Sequence, residues 1–320
     1  MLPPLSAPDF DAATAYPEVA VLRTALGAGD WPAVRRLWDS LDWAGRSELA
    51  GAVGDISRPA EVEHLVGVLE AASRDDPADP AAGAMLGAHL VAAGWRIRSG
   101  YQARYVSADQ FTRFHEHLRR ADEVLAEATA RNPGNVTAWQ YRVTIARGLQ
   151  TGLAEARRRY DRAVRTDPHH VRTELSYQQM ICPKWDGSWE LLHEFSRERM
   201  LAAPEGAHNA VLVPLGHLEH WLELDDKKDA AYLRSKAVRD EIYEAAHRSV
   251  WHPAFQRTVG WVHVMNVFAG LFSLLDDHRA ALSQFAALGP LATGSPWNYI
   301  GGDEGPTFMW RRNMAIMGAK

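Results

Sequence analysis

The chain has 320 residues, of which 47% are hydrophobic and 23% charged, a balance that supports a sizeable folded core. Its formal net charge of -5 runs against the basic excess of nucleic-acid binders, so no nucleic-acid partner is expected. Cys182 is the single cysteine, which excludes an internal disulfide. Met1-Leu2-Pro3-Pro4 lacks the basic start and apolar stretch of a signal peptide, so the expected location is cytoplasmic.

Residues 1–16 are rich in Pro and Ala and read as a loose segment. Helical periodicity then places helices at about 17–27, 31–41, 43–54, 60–74, 80–99 and 108–131. Asp79-Pro80 puts a proline where a helix can begin, and Ser107 with Gln110 forms a capping-box pair. Further helices are expected at about 136–150, 153–166, 170–181, 188–202, 207–224, 228–250, 255–275 and 278–288. Gly294 to Pro306 reads as a turn-rich loop, followed by a short helix over 307–317. No alternating strand pattern of useful length occurs. The apolar run Val259–Leu275 carries His263, Asn266 and Ser273 and reads as a helix buried by neighbours, so no membrane span is expected.

Pro133, Pro168 and Pro204 recur at intervals of 35 and 36 residues. Ala121, Leu125 and Ala128 precede the first, and Ala156, Tyr160 and Ala163 precede the second at the same spacings. Residues i, i+4 and i+7 share one helical face, so small, large and small side chains alternate along it. The proline then stops the helix. Trp139, in the first helix of the next pair, is placed to pack into the turn between units. A degenerate third unit has Leu191, Phe195 and Glu198 before Ala203-Pro204, and Val143 stands where a glycine is usual.

These features resemble the tetratricopeptide repeat, whose second helix reads A-x-x-x-F/Y-x-x-A-x-x-x-x-P. From Trp95 to Trp189 a narrower likeness holds. Gly94 to Gly100, Phe114 to Leu125 and Cys182-Pro183-Lys184-Trp185-Asp186-Gly187-Ser188 resemble a bacterial family of tetratricopeptide-like proteins without an established activity. That family carries a Pro-Lys-Trp-Gly-Gly-Ser turn, and Asp186 replaces its first glycine. The resemblance implies an all-α fold of stacked antiparallel helix pairs, an α-solenoid, with residues 17–320 as one domain and the best repeats at about 108–204.

Such a stack offers a concave groove to a peptide or protein partner. Twelve arginines stand against seven acids between residues 113 and 172; they read either as solvated outer surface or, if they line the concave side, as a surface for an acidic partner. Arg142, Arg147, Lys184, Trp185, His217 and Trp221 are the candidate contacts. Gly187 in the Lys184 turn is expected to supply a left-handed backbone. The alternative is an enzyme or small-ligand binder using the His- and Trp-rich stretch from 193 to 263. A third reading pairs the apolar ends of the stack into a homodimer.

His217-Leu218-Glu219-His220 has the best metal-like spacing, because residues i and i+3 share a helix face. A site at His217 and His220 would need one or two more ligands, for which His193, His247 and His252 are available in sequence. No metal or other cofactor is assigned from this pattern. Cys182, with His193 as a base, reads as a buried structural thiol rather than a nucleophile. Asp225, Asp226 and Asp229 beside Lys227 and Lys228 read as a charged helix junction. The sequence holds no G-x-G-x-x-G, P-loop or G-x-S-x-G signature, so no catalytic residue is assigned.

Overall fold

The computed structural model describes residues 6–100, 105–224 and 229–319. Among them every regular element is a helix, and Asp9 with Leu291 makes an isolated parallel bridge. In chain order these are α1 (Ala12–Ala15), α2 (Pro17–Gly27), α3 (Trp31–Ser40), α4 (Trp43–Gly54), α5 (Pro59–Asp75) and α6 (Pro80–Arg98). Then come α7 (Ala108–Arg131), α8 (Val136–Gly148), α9 (Leu153–Val164), α10 (Val171–Met180), α11 (Trp189–Ala202) and α12 (Leu212–Leu222). The chain finishes with α13 (Asp229–Arg234), α14 (Lys236–Arg248), α15 (Trp261–Leu274), α16 (His278–Leu288), α17 (Trp297–Gly301) and α18 (Glu304–Gly318). The helices fall into two compact units. One is Tyr16–Ser188; the other joins Met1–Ala15 to Trp189–Lys320.

In the unit Tyr16–Ser188, local chemistry sets the helix starts. Asp30, Asp42, Asp79 and Asn135 each accept a bond from a first-turn amide, which satisfies donors that an α-helix leaves open. The Ser107–Gln110 capping box forms in both directions. Consecutive helices from α6 to α10 pack on one another, and α6 also meets α8 as α8 meets α10. The repeated faces are the contacts: Ala121, Leu125, Ala156 and Ala163 are fully buried and Tyr160 nearly so. A Cβ on Gly87 of α6 would come within 2.4 Å of Leu125, so that glycine sets how closely α6 and α7 approach. Trp139 donates its indole N–H to the Pro133 carbonyl at 2.9 Å and packs with Val136, Ala163 and Trp43.

The helix α4 lies against α6, α8 and α10. It buries Gly45, Ser47, Leu49, Ala50, Ala52, Val53 and Gly54. Its polar groups are bonded to each neighbour. Ser47 Oγ is 2.9 Å from Thr137 Oγ1 of α8, Glu48 pairs with Arg172 of α10, and the Gly54 carbonyl accepts from Arg96 of α6. Arg172 is raised above its ordinary pKa chiefly by the Glu48 carboxylate, and burial pushes the neighbouring Tyr141 phenol up to about 12.

In the unit Met1–Ala15 with Trp189–Lys320, residues read as loose are anchored from Ser6 onward. The Asp9 amide donates to Pro290, the Asp9 carbonyl accepts from Ala292, and Arg312 donates to the Ser6 carbonyl. A segment that supplies backbone bonds of this kind is held whatever its composition. The apolar run of residues 259–275 forms α15, whose 14 residues span about 21 Å, short of a bilayer core of about 30 Å. Its polar members are satisfied internally: Asn266 accepts from the Trp297 indole at 2.7 Å and Ser273 donates to the Ala269 carbonyl. Among the described residues no helix is long and apolar enough to cross a membrane.

Three expected boundaries differ. The helix expected over 255–275 begins only at Trp261, behind Gly260 with φ of 96°. The helix expected over 228–250 is interrupted at Ser235, whose side chain accepts from the Val238 amide and caps α14. The expected loop over 294–306 contains α17 and the first turn of α18. The residues Asp225 to Lys228 of the charged junction lie outside the described residues.

Candidate functional site

Of the six expected contact residues, Arg142, Arg147, Lys184 and Trp185 lie in the unit Tyr16–Ser188, and His217 and Trp221 lie in the other. Arg142 is held inside the unit Tyr16–Ser188, bonded to Asp122 at 3.2 Å and to Thr129 at 2.9 Å, with its guanidinium 4.9 Å from the Trp139 ring. The almost fully buried Arg159 completes this cluster through Asp122 at 2.9 and 3.0 Å and Glu155 at 2.7 Å. The hydrogen-bond partners of Arg142 are groups of the chain itself, Asp122 and Thr129. Arg147 lies over the faces of Trp95 and Trp185 at 4.8 and 5.5 Å, and Arg98 lies near both rings at 5.7 and 6.0 Å. Lys184 is exposed beside Trp185. Gly187 does not take a left-handed backbone; a Cβ there would meet the Ile181 carbonyl oxygen at 1.8 Å, so close chain approach is what demands glycine. Cys182 is fully buried and its thiol donates to the Gln178 carbonyl.

The helices α6, α8 and α10 all pack against α4. Small residues along α4 let it seat there, and the Cβ that Gly54 lacks would stand 3.0 Å from Ala92. An open cleft of about 600 Å³ lies near α5, lined by Trp31, Glu63, His64, Gly67 and Asp75 among others.

His217 and Trp221 belong to the other unit, on one face of α12. His217 is buried, and around it four helices bring together a set of titratable side chains. Trp189 and His193 come from α11, one turn apart; His217 and His220 come from α12, Tyr232 from α13 and Glu241 from α14. A continuous chain of contacts links them. Glu241 Oε2 lies 3.0 Å from His217 Nε2, His217 Nδ1 lies 2.7 Å from the Tyr232 oxygen, that oxygen lies 3.4 Å from His193 Nε2, and His193 Nε2 lies 3.0 Å from His220 Nδ1. The indole of Trp189 stacks on His220 at 4.2 Å and 2°.

Chemistry orders the protons along this chain. A carboxylate only accepts, so His217 donates from Nε2; in the neutral ring Nδ1 is then the acceptor of the Tyr232 hydroxyl. One further proton bridges His193 Nε2 and His220 Nδ1. Burial and then the two neighbouring imidazoles lower the His193 pKa to about 4, and burial and then His217 lower that of His220. The hydrogen bond from His217 holds Glu241 below the usual carboxylate range against the opposing effect of burial. Burial, with Glu241 nearby, raises the Tyr232 phenol.

Among the described residues, no group of three or more His, Cys, Asp or Glu side chains is arranged to hold a metal ion. Of the two histidines with metal-like spacing, His217 turns its nitrogens to Tyr232 and Glu241, and His220 turns Nδ1 to His193. His193 joins them, whereas His252 sits beside Glu205 at 3.2 Å and His247 packs on Trp251. Tyr232 and Glu241 were not legible as members: they follow His217 by 15 and 24 residues, with no motif joining them. Comparison with protein-family models, curated proteins and solved structures finds no match to this chain.

Proposed function

We propose that this chain is a helical-repeat protein of the tetratricopeptide kind that binds a small polar ligand or ion at the His193–His217–His220–Tyr232 cluster. Support for the repeat comes from the helix order α6 to α10, each packing on the next, with the proline-spaced small-large-small faces as contacts. Support for the site comes from one observation: five titratable groups on four helices form an unbroken chain of polar contacts, most of it only half-buried. Desolvating such a chain is costly unless every member is satisfied, and perturbed groups of this kind cluster at binding and catalytic sites. Histidine ring signals followed by ¹⁵N NMR test it, with phosphate, acetate, choline and zinc chloride as probes. At least one probe should move the rings of His193, His217 or His220, and the response should vanish in His217→Ala. Rings unmoved by all four probes would contradict the reading.

Self-association is the second reading. It is favoured by Trp310, Met314 and Met317, which stand exposed at i, i+4 and i+7 on α18. Sedimentation should then give a dimer that Trp310→Asp converts to a monomer, and a wild-type monomer at high concentration removes this reading.

A further inference from the structure

We propose that His193 Nε2, His220 Nδ1 and the Tyr232 oxygen are the ligand set of a divalent transition-metal ion, with His217 and Glu241 holding the tyrosine from behind. The proposal rests on the binding reading above and names its ligand class.

The distances carry it. Two ligands of a tetrahedral ion, each at about 2.0–2.1 Å from the metal, stand about 3.3–3.4 Å apart. His193 Nε2 lies 3.0 Å from His220 Nδ1 and 3.4 Å from the Tyr232 oxygen, so His193 already stands near ligand spacing from both of its neighbours. Histidine and carboxylate groups alone do not complete a site here, and the phenol oxygen supplies the third donor. Three protein donors leave a position for water or a ligand atom, the pattern of sites that bind rather than only brace.

The surroundings fit the same assignment. Parallel stacking on Trp189 fixes the ring plane of His220. Behind the tyrosine, His217 Nδ1 is 2.7 Å from its oxygen and His217 Nε2 is 3.0 Å from Glu241. A carboxylate behind a histidine is the usual outer shell of a metal site; here it acts one step further out, through the phenol. In a loaded site the Tyr232 proton would pass to His217 Nδ1, leaving a phenolate donor and an imidazolium that Glu241 would hold. The proton that bridges His193 Nε2 and His220 Nδ1 would move to the other nitrogen of its own ring, so that both atoms offer lone pairs. No electron is transferred. Imidazole and phenolate donors suit zinc and copper(II) rather than magnesium or calcium.

The test uses the full chain, stripped with a chelator and dialysed against zinc chloride, copper(II) chloride or magnesium chloride. Zinc and copper should bind at about one ion per chain and magnesium should not. His193→Gln with His220→Gln should abolish binding, and Glu241→Gln should weaken it by about tenfold. The copper complex should show a visible phenolate-to-copper absorption band that Tyr232→Phe loses, with far-UV circular dichroism confirming that each variant folds. Absence of zinc and copper binding, or equal binding by the double glutamine variant, overturns the proposal. So does a copper band that survives in Tyr232→Phe. If metals fail while phosphate, acetate or choline still moves the histidine rings, the metal assignment falls and the binding reading stands; if nothing moves them, both fall.

Discussion

Ser47 of α4 and Thr137 of α8 meet hydroxyl to hydroxyl at 2.9 Å, and neither is exposed. The contact ties α4 to α8, one of the three helices it packs against. Ser47→Ala should leave the Thr137 hydroxyl buried with one partner fewer and cost about 1–2 kcal/mol. Adding Thr137→Val removes the second polar group and should recover most of that loss. Urea unfolding followed by tryptophan fluorescence checks both, and additive losses would show that the two hydroxyls are independent.

Close approach of α6 and α7 depends on Gly87. Gly87→Ala places a methyl group into Leu125 and should cost about 1–3 kcal/mol through forced repacking. Leu125→Ala creates a cavity on its own, at a cost of about 2–5 kcal/mol. In the double variant the new methyl fills part of that cavity, so the combined loss should fall short of the sum. Thermal unfolding of the four proteins measures the coupling.

Asp122 holds two arginines, Arg142 and the nearly buried Arg159. Asp122→Ala should destabilise the chain by about 2 kcal/mol, because Arg159 keeps only Glu155 as a carboxylate partner. Added salt should change this cost little, since a buried pair is weakly screened. A cost that disappears in molar salt would place the pair at the surface.

His170 stands at the start of α10 with its buried ring neutral. Burial, reinforced by Arg172, lowers its pKa to about 4, and its ring contacts Thr173 Oγ1 at 2.8 Å and the Trp43 carbonyl at 3.3 Å. In the unfolded chain the ring titrates near about 6.5. Between these values the unfolded state binds the extra proton, so this residue's stabilisation is complete above about 6.5 and is lost as pH falls towards about 4. The gap corresponds to about 3 kcal/mol. His170→Asn should be less stable than wild type at pH 7, with the difference shrinking by about that amount by pH 4. Parallel stability curves for the two proteins would contradict the assignment.

Much of the fold was legible because the chain marks its own helix ends. The boundaries of α7 follow from Ser107 and Gln110 at one end and Asn132-Pro133 at the other. The start of α6 follows from Asp79-Pro80. The break at Ser235 was not legible, since Ala230 to Lys236 lacks glycine and proline and is compatible with continued helix. Only the extended backbone at Ser235 turns that residue into a cap. The α4 seat was hidden for another reason: its glycines and alanines read as an ordinary short helix, and what they allow depends on three helices placed 30 to 130 residues later. At the site, the i, i+3 spacing of His217 and His220 was visible. The arrival of His193, Tyr232 and Glu241 is a tertiary fact with no local pattern.

The coupling of those side chains is the most direct measurement, read by ¹⁵N NMR of the histidine rings in wild type and Tyr232→Phe. His217 should carry its proton on Nε2 and leave Nδ1 as an acceptor, and removal of the phenol oxygen should shift the rings of both His217 and His193. Rings that keep their tautomers and shifts when the oxygen is gone would mean that no connected cluster exists.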